Sequence, residues 1–388
     1  MAKIVCVLYP DPKTGYPPPV VRDSLPEITA YPDGQTLPSP KNIDFTPGQL
    51  LGSVSGELGL REFLESAGHT LVVTSDKEGA GSVLDQELAD ADVVISQPFW
   101  PAYLTPERLA RAPKLKLAIT AGIGSDHVDL PTAIANDITV AEVTFSNSIS
   151  VAEHAAMQIL ALVRDYLPMY QIVREGGWDI ADAAKRSFDL EGMDVGVLAA
   201  GRIGLALIKR LAPFDVNLHY NDRHRLPAEV EERYGLTFHE DVRSLASSID
   251  VLSIHAPLTA QTKGLFDDEL LGTMRRGSYI VNTARGAIMD RDAVVRALES
   301  GQLAGYAGDV WFPQPAPADH PWRTMPHHGM TPHTSGTSLT AQARYAAGTR
   351  EILEHWLAGE PIRPEYLIVD GGNYAGTGVH SYSNTPTA

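Results

Sequence analysis

The sequence predicts an α/β protein of two domains, each a parallel β-sheet with helices on both faces. Short runs rich in Val, Ile and Leu alternate with helical segments along the chain. Strands that are apolar throughout are typical of parallel sheets, because helices bury both faces of such a sheet. The 388 residues suffice for two or three domains, and a long helix that starts at Ser150 separates two alternating series.

The first series begins with an apolar strand at residues 4–9. A Pro- and Gly-dense arm follows at residues 11–49, with neither a helical nor an alternating period. Gly68 is typical of a helix C-cap, and Thr105 followed by Pro106 is typical of a helix start. These signals predict helix 58–67, strand 70–74, helix 83–89, strand 92–96, a helix from Thr105 and strand 115–120.

The second series follows the long helix, whose apolar residues recur at helical spacing from Ala152 to Val163. After Pro332 a second long helix, 339–357, is predicted to carry the chain back to the first domain. The predicted domains are therefore 1–148 plus 334–388, and 149–333. The strands predicted between the two long helices lie near 194–199, 216–222, 250–255, 278–283 and 303–310.

Composition and charge exclude several classes of protein. The chain has 48 acidic residues against 31 Lys plus Arg, a formal charge of −17, with no concentrated basic patch. Such a surface repels phosphates and anionic lipids, so we expect neither nucleic acid nor membrane as a partner. No stretch reaches the roughly 18 uninterrupted apolar residues that a membrane span needs. A single cysteine, Cys6, fits a reducing compartment, and we expect a cytoplasmic protein with an inert buried thiol.

A glycine turn predicts a dinucleotide site. The strand at 194–199 runs into Ala199-Ala-Gly201-Arg-Ile-Gly204, and a helix follows directly, which is the Rossmann fingerprint with Ala at the first glycine. Gly201 lets the backbone approach a pyrophosphate, and Gly204 lets helix and strand pack closely. Eighteen positions beyond Gly204, Asp222 can accept hydrogen bonds from ribose hydroxyls and would repel a 2′-phosphate. NAD is therefore favoured, although the basic residues 223–225 leave NADP as an alternative.

Polar clusters stand at three further strand ends of the second half. They are His255-Ala-Pro257, Asn282-Thr283-Ala-Arg285-Gly286 and Gly308-Asp309 through Gln314-Pro315. The carboxyl ends of parallel strands face the crevice that holds ligands, so these clusters are expected to carry the chemistry. Together with Thr331-Pro-His333 they resemble the D-specific 2-hydroxy-acid dehydrogenase superfamily over almost the whole chain.

One position departs from the pattern of that superfamily. The resemblance implies an Arg that holds the substrate carboxylate, an acid-base His and a Glu beside it; Arg285 and His333 match, but Gln314 stands where the Glu is expected. A hydroxy acid must lose a hydroxyl proton as it loses hydride, which requires a tuned general base. An amide cannot raise the pKa of an imidazole as a carboxylate does. Formate has no hydroxyl proton, so the amide suits formate.

Further motifs resemble the NAD-dependent formate dehydrogenases: residues 97–101, 120–127, 147–148, 313–315 and 333–336, and the long Pro-rich arm. The resemblance implies that Arg285 and Asn147 hold formate, that the Ile123 amide and His333 complete the anion site, and that Pro98 and Phe99 line it. It also implies a homodimer and a tail, 376–382, that folds over the cofactor. The implied cofactor contacts are Gly201, Arg202, Ile203, Gly204, Asp222, Ser148, Pro257, Thr283, Asp309, His333, Ser335, Gly336 and His380.

Two other functions compete with formate oxidation. A 2-hydroxy-acid or phosphoglycerate dehydrogenase would use the same fold. Gln314 and the pair Pro98-Phe99, which is expected to line the substrate pocket, argue against it. An NAD-sensing binding protein would keep the fold and act through partners, but Arg285, Asn147 and His333 argue against that. No metal is predicted, because the pair His327-His328 lacks acidic or cysteine partners at ligand spacing. Asp126 and His127 are expected to belong to a packed turn.

Overall fold

The structure, a computed structural model, describes residues 1–11 and 50–375. These residues form two compact units, one of residues 1–147 with 336–375 and the other of residues 148–335. The predicted arm, apart from its first residue, and the predicted cofactor-covering tail with His380 lie outside the described residues. No helix in the described part of the chain is both long enough and apolar enough to span a membrane.

The strands of the described residues follow in chain order. They are β1 Lys3–Val7, β2 Thr70–Thr74, β3 Val93–Ser96, β4 Leu117–Thr120, β5 Thr139–Glu142, β6 Asp194–Leu198, β7 Asn217–Asn221, β8 Thr237–Phe238, β9 Val251–Ile254, β10 Ser278–Asn282, β11 Leu303–Gly308, β12 His328–Met330, β13 Leu367–Asp370 and β14 Asn373–Tyr374.

The sequence predicts six of the α-helices of the same residues to within a few residues of their observed bounds and does not predict the others. In chain order the α-helices are α1 Arg61–Ser66, α2 Val83–Glu87, α3 Pro106–Ala110, α4 Leu130–Ala135, α5 Ser148–Val163, α6 Tyr166–Arg174, α7 Ile180–Ala184, α8 Arg202–Leu211, α9 Ala228–Tyr234, α10 Val242–Ser248, α11 Asp268–Thr273, α12 Arg291–Glu299 and α13 Leu339–Ala358.

Local chemistry explains where these helices start and stop. Thr105 caps α3 by accepting a hydrogen bond from the Arg108 N–H at 3.4 Å, and Pro106 occupies the first turn. Ser338 caps α13 in the same way through the Ala341 N–H at 3.1 Å. The helix α13 ends at Gly359, whose φ of +70° is a left-handed conformation that glycine adopts without steric cost.

The first unit contains a seven-stranded sheet in the order β14-β13-β5-β4-β3-β1-β2. Strands β1 to β5 are parallel, and alternate residues of β1 enter two different apolar clusters, Ile4 and Cys6 in one and Val5 and Val7 in the other. Both faces are therefore buried, as the continuous apolar run predicts. Cys6 is fully buried, and burial raises the pKa of its thiol.

One edge of this sheet is not parallel. Strand β13 pairs antiparallel with β5, and the short β14 pairs antiparallel with β13. The apolar run 367–369 carries no signal of direction, so the sequence does not predict this edge. It does predict that the segment after the second long helix returns to the first sheet.

The second unit contains a seven-stranded, all-parallel sheet in the order β12-β11-β10-β9-β6-β7-β8. Strand β6 lies between β7 and β9, so the chain reverses its direction of progress across the sheet at β6. Ligands of open α/β sheets bind at such a switch point, beyond the carboxyl ends of the strands. The predicted fold class, two Rossmann-like domains with the first discontinuous in sequence, is confirmed for the described residues.

Candidate active site

The predicted glycine turn lies at the end of β6, at the switch point. Gly201 is the N-cap residue of α8 in an extended conformation, and no side chain caps the helix. A Cβ on Gly204 would lie 2.3 Å from the Ala199 carbonyl oxygen and 2.9 Å from Val197 Cγ1, so only glycine fits. Strand and helix therefore pack backbone to backbone, and the N–H groups of the first turn, which holds Arg202 and Ile203, are suited to a phosphate. This geometry fits a dinucleotide.

Asp222 follows β7 directly and is half-buried. Its Oδ1 accepts a hydrogen bond from the His224 main-chain N–H at 3.1 Å. Of the basic residues that left NADP open, Arg225 donates to both carboxylate oxygens of Glu231, at 2.9 and 3.0 Å. Because this ion pair engages the Arg225 guanidinium, Arg223 and His224 are the neighbours of Asp222 that could bind a 2′-phosphate.

Arg285 lies in the tight turn that follows β10. The fully buried Asn282 fastens this turn: its Nδ2 donates to the Arg285 carbonyl at 3.0 Å, and its Oδ1 accepts from the Ala284 N–H at 3.0 Å. Nη1 of Arg285 donates to the Ala284 carbonyl at 2.8 Å. A Cβ on Gly286 would lie 2.6 Å from the main-chain carbon of Trp311, so the turn packs directly on the segment that leads to Gln314.

His333 and Gln314 are brought together, as the resemblance predicts. The imidazole Nδ1 lies 2.8 Å from the Gln314 Oε1, and both side chains are half-buried. Both peptide bonds that precede Pro313 and Pro315 are cis. His333 itself has a φ of +58°, in the left-handed region that residues other than glycine rarely adopt.

Asp309, which directly follows β11, is fully buried and binds the segment that carries His333. Its Oδ1 accepts hydrogen bonds from the Thr331 hydroxyl at 2.6 Å and the Thr334 N–H at 2.7 Å, and its Oδ2 accepts from the Ser335 N–H at 2.7 Å. This network is a role for Asp309 that the sequence analysis did not foresee.

Two further predicted cofactor contacts stand at neighbouring strand ends. Pro257, after β9, is exposed, and its carbonyl accepts a hydrogen bond from the Thr262 hydroxyl at 2.7 Å. Thr283, after β10, is buried, and its Oγ1 lies 3.5 Å from His255 Nδ1. Burial lowers the pKa of His255 to about 3, so this imidazole stays neutral at working pH.

Asn147 and Gly336 meet at the boundary of the first unit. A Cβ on Gly336 would lie 2.5 Å from Asn147 Nδ2, so the glycine allows close packing. Asn147 Oδ1 is buried and has no hydrogen-bond partner among the described residues, and the same is true of the Ser148 hydroxyl in the second unit. Buried polar groups are rarely left unpaired, so each of these atoms is suited to bind a further molecule.

The remaining predicted substrate contacts, Pro98, Phe99 and Ile123, are half-buried residues of the first unit. Pro98 packs against Gly122, where a Cβ would lie 2.9 Å from the proline Cδ, and Phe99 packs against Tyr345 with ring centroids 6.3 Å apart. The roles given to these residues stay predictions.

The sequence analysis missed Glu142, which is fully buried at the end of β5. Its Oε2 accepts hydrogen bonds from the Gly124 N–H at 2.9 Å and the Ser125 hydroxyl at 3.2 Å. A carboxylate thus anchors the turn that follows Ile123. An acidic residue in an otherwise apolar strand is the signal that would have found it.

Comparisons with known proteins show the family to which the chain belongs. The family described as "D-isomer specific 2-hydroxyacid dehydrogenase, NAD binding domain" matches residues 156–335. A formate dehydrogenase of Pseudomonas sp. strain 101 is 68% identical over 383 residues, 99% of this chain and 96% of the relative. A Granulicella formate dehydrogenase structure is 68% identical and superposes with a TM-score of 0.94, covering 97% of this chain and 100% of that chain.

A second solved structure carries the cofactor. The NAD-dependent formate dehydrogenase of Staphylococcus aureus, in complex with NAD, is 43% identical with a TM-score of 0.78, over 95% of this chain and 99% of that chain. Fold and strand-end residues together define a nicotinamide-dependent dehydrogenase. The chain belongs to the formate dehydrogenases within the D-isomer specific 2-hydroxyacid dehydrogenase family. The predicted family and the predicted NAD cofactor are confirmed.

Proposed function

We propose that this protein oxidises formate to carbon dioxide, with Arg285 and Asn147 holding the substrate and the Gln314/His333 pair completing the site. The observation that carries the proposal is the 2.8 Å contact between His333 Nδ1 and Gln314 Oε1. An amide in this position provides a hydrogen-bonding partner for the imidazole without the charge that a hydroxy-acid base needs. When bound, NAD+ supplies the acceptor for the formate hydride.

Arg285 supplies the charge that formate requires, and Asn147 supplies amide donors from a buried side chain. Such donors fix a planar carboxylate so that its C–H points at the acceptor within about 3 to 3.5 Å. As hydride leaves, the anion becomes a neutral linear molecule, so charge fades in the transition state. The apolar side chains of Pro98, Phe99 and Ile123 would then favour the product over the substrate.

Most of the residues proposed to hold the bound NAD lie at strand ends of the second unit. The α8 N-terminus, with Gly201 to Gly204, suits the pyrophosphate, and Asp222 suits the adenosine ribose hydroxyls. The unpaired Ser148 hydroxyl, with Pro257, Thr283, Asp309, Ser335 and Gly336, supplies the other proposed contacts.

Reduction of NAD+ by formate, measured at 340 nm with the purified protein, tests the proposal. The same protein is assayed in parallel for oxidation of NADH by glyoxylate and by hydroxypyruvate. Activity with formate at least about a hundredfold above the other two substrates is expected, since a site without a carboxylate beside His333 lacks a tuned base. Deuterium from [²H]formate must be recovered in the reduced nicotinamide. Higher activity with either oxo acid would overturn formate as the substrate, and activity with none would favour a binding protein.

A second copy of this chain is the proposed partner. Helices α6 and α7 and the segments that flank them leave large apolar side chains exposed, among them Tyr170 at 50%, Trp178 at 82% and Ile180 at 69%. Several large exposed apolar side chains in one short segment are typical of a surface that binds a partner. Sedimentation equilibrium should therefore give twice the chain mass of 41.9 kDa. Trp178→Glu with Tyr170→Glu should give monomers, whereas Tyr374→Glu, a control on β14, should not. A monomeric parent protein contradicts the proposal.

The cytoplasm is the proposed location, on the ground that a single buried cysteine suits a reducing compartment. Fractionation of the source cells, with immunodetection of the protein in each fraction, tests this. Recovery in a membrane or secreted fraction would contradict it.

A further inference from the structure

The main chain around His333 is held in an unfavourable conformation by one buried carboxylate. The φ of His333 is +58°, an uncommon and energetically unfavourable conformation for a residue other than glycine. Asp309 accepts hydrogen bonds from residues on both sides of His333: from Thr331 before it, and from Thr334 and Ser335 after it. The position of the His333 side chain therefore depends on the orientation of the Asp309 carboxylate.

The Thr331 hydroxyl occupies the centre of this network. Its Oγ1 lies 2.6 Å from Asp309 Oδ1, 3.2 Å from the Gly308 carbonyl oxygen and 3.2 Å from His154 Nε2. A hydroxyl has a single proton, and the short contact to a carboxylate takes it. The hydroxyl oxygen must then accept from the imidazole, so His154 Nε2 carries a proton and donates it to Thr331.

His154 reaches Thr331 from α5, a helix of 16 residues with many buried side chains. Burial lowers the pKa of this imidazole, which keeps it neutral, while the charge of Asp309 acts in the opposite direction. A neighbouring residue of the same helix, Gln158, donates to the Gly308 and Gly329 carbonyls at 3.2 and 3.1 Å and so ties α5 to β11 and β12. The imidazole is thus presented from a rigid element.

We propose that His154 is a positioning residue for the reaction: through the Thr331 hydroxyl it orients Asp309, and Asp309 holds the backbone that aims His333. This role rests on the proposed function, in which His333 helps to complete the formate site.

Two variants of His154 separate the hydrogen bond from the space that the ring fills. His154→Gln keeps an N–H donor, and His154→Met has nearly the same shape as Gln without a donor. His154→Met should lower kcat/KM for formate about fivefold, the effect of one lost neutral hydrogen bond. His154→Gln should stay within about twofold of the parent protein. Equal losses in the two variants would mean that only packing matters, which overturns the proposal.

A double-mutant cycle tests whether His154 acts through Thr331. Thr331→Val removes the hydroxyl at constant shape and should cost at least about tenfold, because it also deletes a bond to a carboxylate. Adding His154→Met to Thr331→Val should then change kcat/KM by less than about twofold. A further fivefold loss in the double variant would show independent effects and would overturn the proposal. Thr331→Ser, which keeps the hydroxyl, is the matched control.

Hydrogen exchange gives a readout that needs neither formate nor NAD. The amides of Thr334 and Ser335, which donate to Asp309, should exchange faster in Thr331→Val and in His154→Met than in His154→Gln or the parent protein. Equal exchange in His154→Met, His154→Gln and the parent protein would overturn the proposal even if Thr331→Val proved too unstable to study. If the parent protein does not oxidise formate, the proposed function fails, and the exchange rates still decide whether the network exists.

Discussion

The imidazole Nδ1 of His333 lies 2.8 Å from the amide Oε1 of Gln314. An amide oxygen only accepts hydrogen bonds, so Nδ1 carries a proton whether the ring is neutral or charged. The pair therefore keeps one geometry in both states of the ring. This constancy suits a substrate that releases hydride without releasing a proton.

Gln314→Glu should make the reaction dependent on pH. A carboxylate beside His333 favours the imidazolium and so raises the pKa of the ring, and its charge repels formate. We expect a flat profile of kcat/KM against pH near neutrality for the parent protein. The variant should show an ionisation in that range and a KM for formate raised about tenfold, the effect of about 1.4 kcal/mol of repulsion. Gln314→Met, which loses the hydrogen bond without gaining charge, is the control. A flat profile with an unchanged KM in Gln314→Glu would contradict the prediction.

Arg285→Ala should abolish formate oxidation and leave NAD binding nearly intact. Loss of a charge-assisted contact costs about 1.5 to 3 kcal/mol, and the substrate also loses its orientation. Arg285→Lys should recover only part of the rate, because an ammonium lacks the planar fork of a guanidinium. The measurements are kcat/KM for formate and fluorescence titration with NAD. Arg296→Ala, at an exposed ion pair with Asp268, should have no effect; parental activity in Arg285→Ala would refute the assignment.

Asp222→Gln should shift the cofactor preference toward NADP. The change removes repulsion toward the 2′-phosphate, while Arg223 remains beside it. Steady-state kinetics with both cofactors should show a ratio of kcat/KM for NADP over NAD raised at least about tenfold, the effect of about 1.4 kcal/mol. Adding Arg223→Ala should reverse the gain, whereas Arg225→Ala should not, because Arg225 is paired with Glu231. An unchanged ratio would remove Asp222 from the selectivity determinants.

His255 should make the fold less stable in mild acid. Its folded pKa of about 3 lies below the usual 6.5, so only the unfolded chain binds a proton between these values. The contribution of neutral His255 to the free energy of unfolding is fully present above pH 6.5. It is lost as the pH falls, by about 1.4 kcal/mol at pH 5.5. His255→Asn, which cannot be protonated, should lose that much less free energy of unfolding between pH 7.5 and 5.5, as measured by urea denaturation. Identical losses in the two proteins would contradict the assignment.

Local patterns in the sequence predict the parts of the site that neighbours in sequence build. The Gly201-Gly204 turn and the strand before it are of this kind, because a tight turn and a close approach are encoded within a few residues. The Asp309 network is not, since its partners at 331–335 stand more than twenty positions further along the chain. Glu142 and Gly124 are 18 positions apart, and only the pairing of β4 with β5 brings them together. The His333-Gln314 contact was predicted from a family resemblance, not from spacing.

Because the first unit is discontinuous in sequence, the ribosome completes the synthesis of the second unit before that of the first. Residues 148–335 are contiguous and can complete their sheet as soon as they emerge, whereas β1 to β5 must wait for α13, β13 and β14. Until then one face of that sheet lacks α13, and β5 presents an unpaired edge on which other chains can assemble. The nascent protein is therefore most exposed to aggregation while its cofactor-binding half is already folded, and early NAD binding would not protect it.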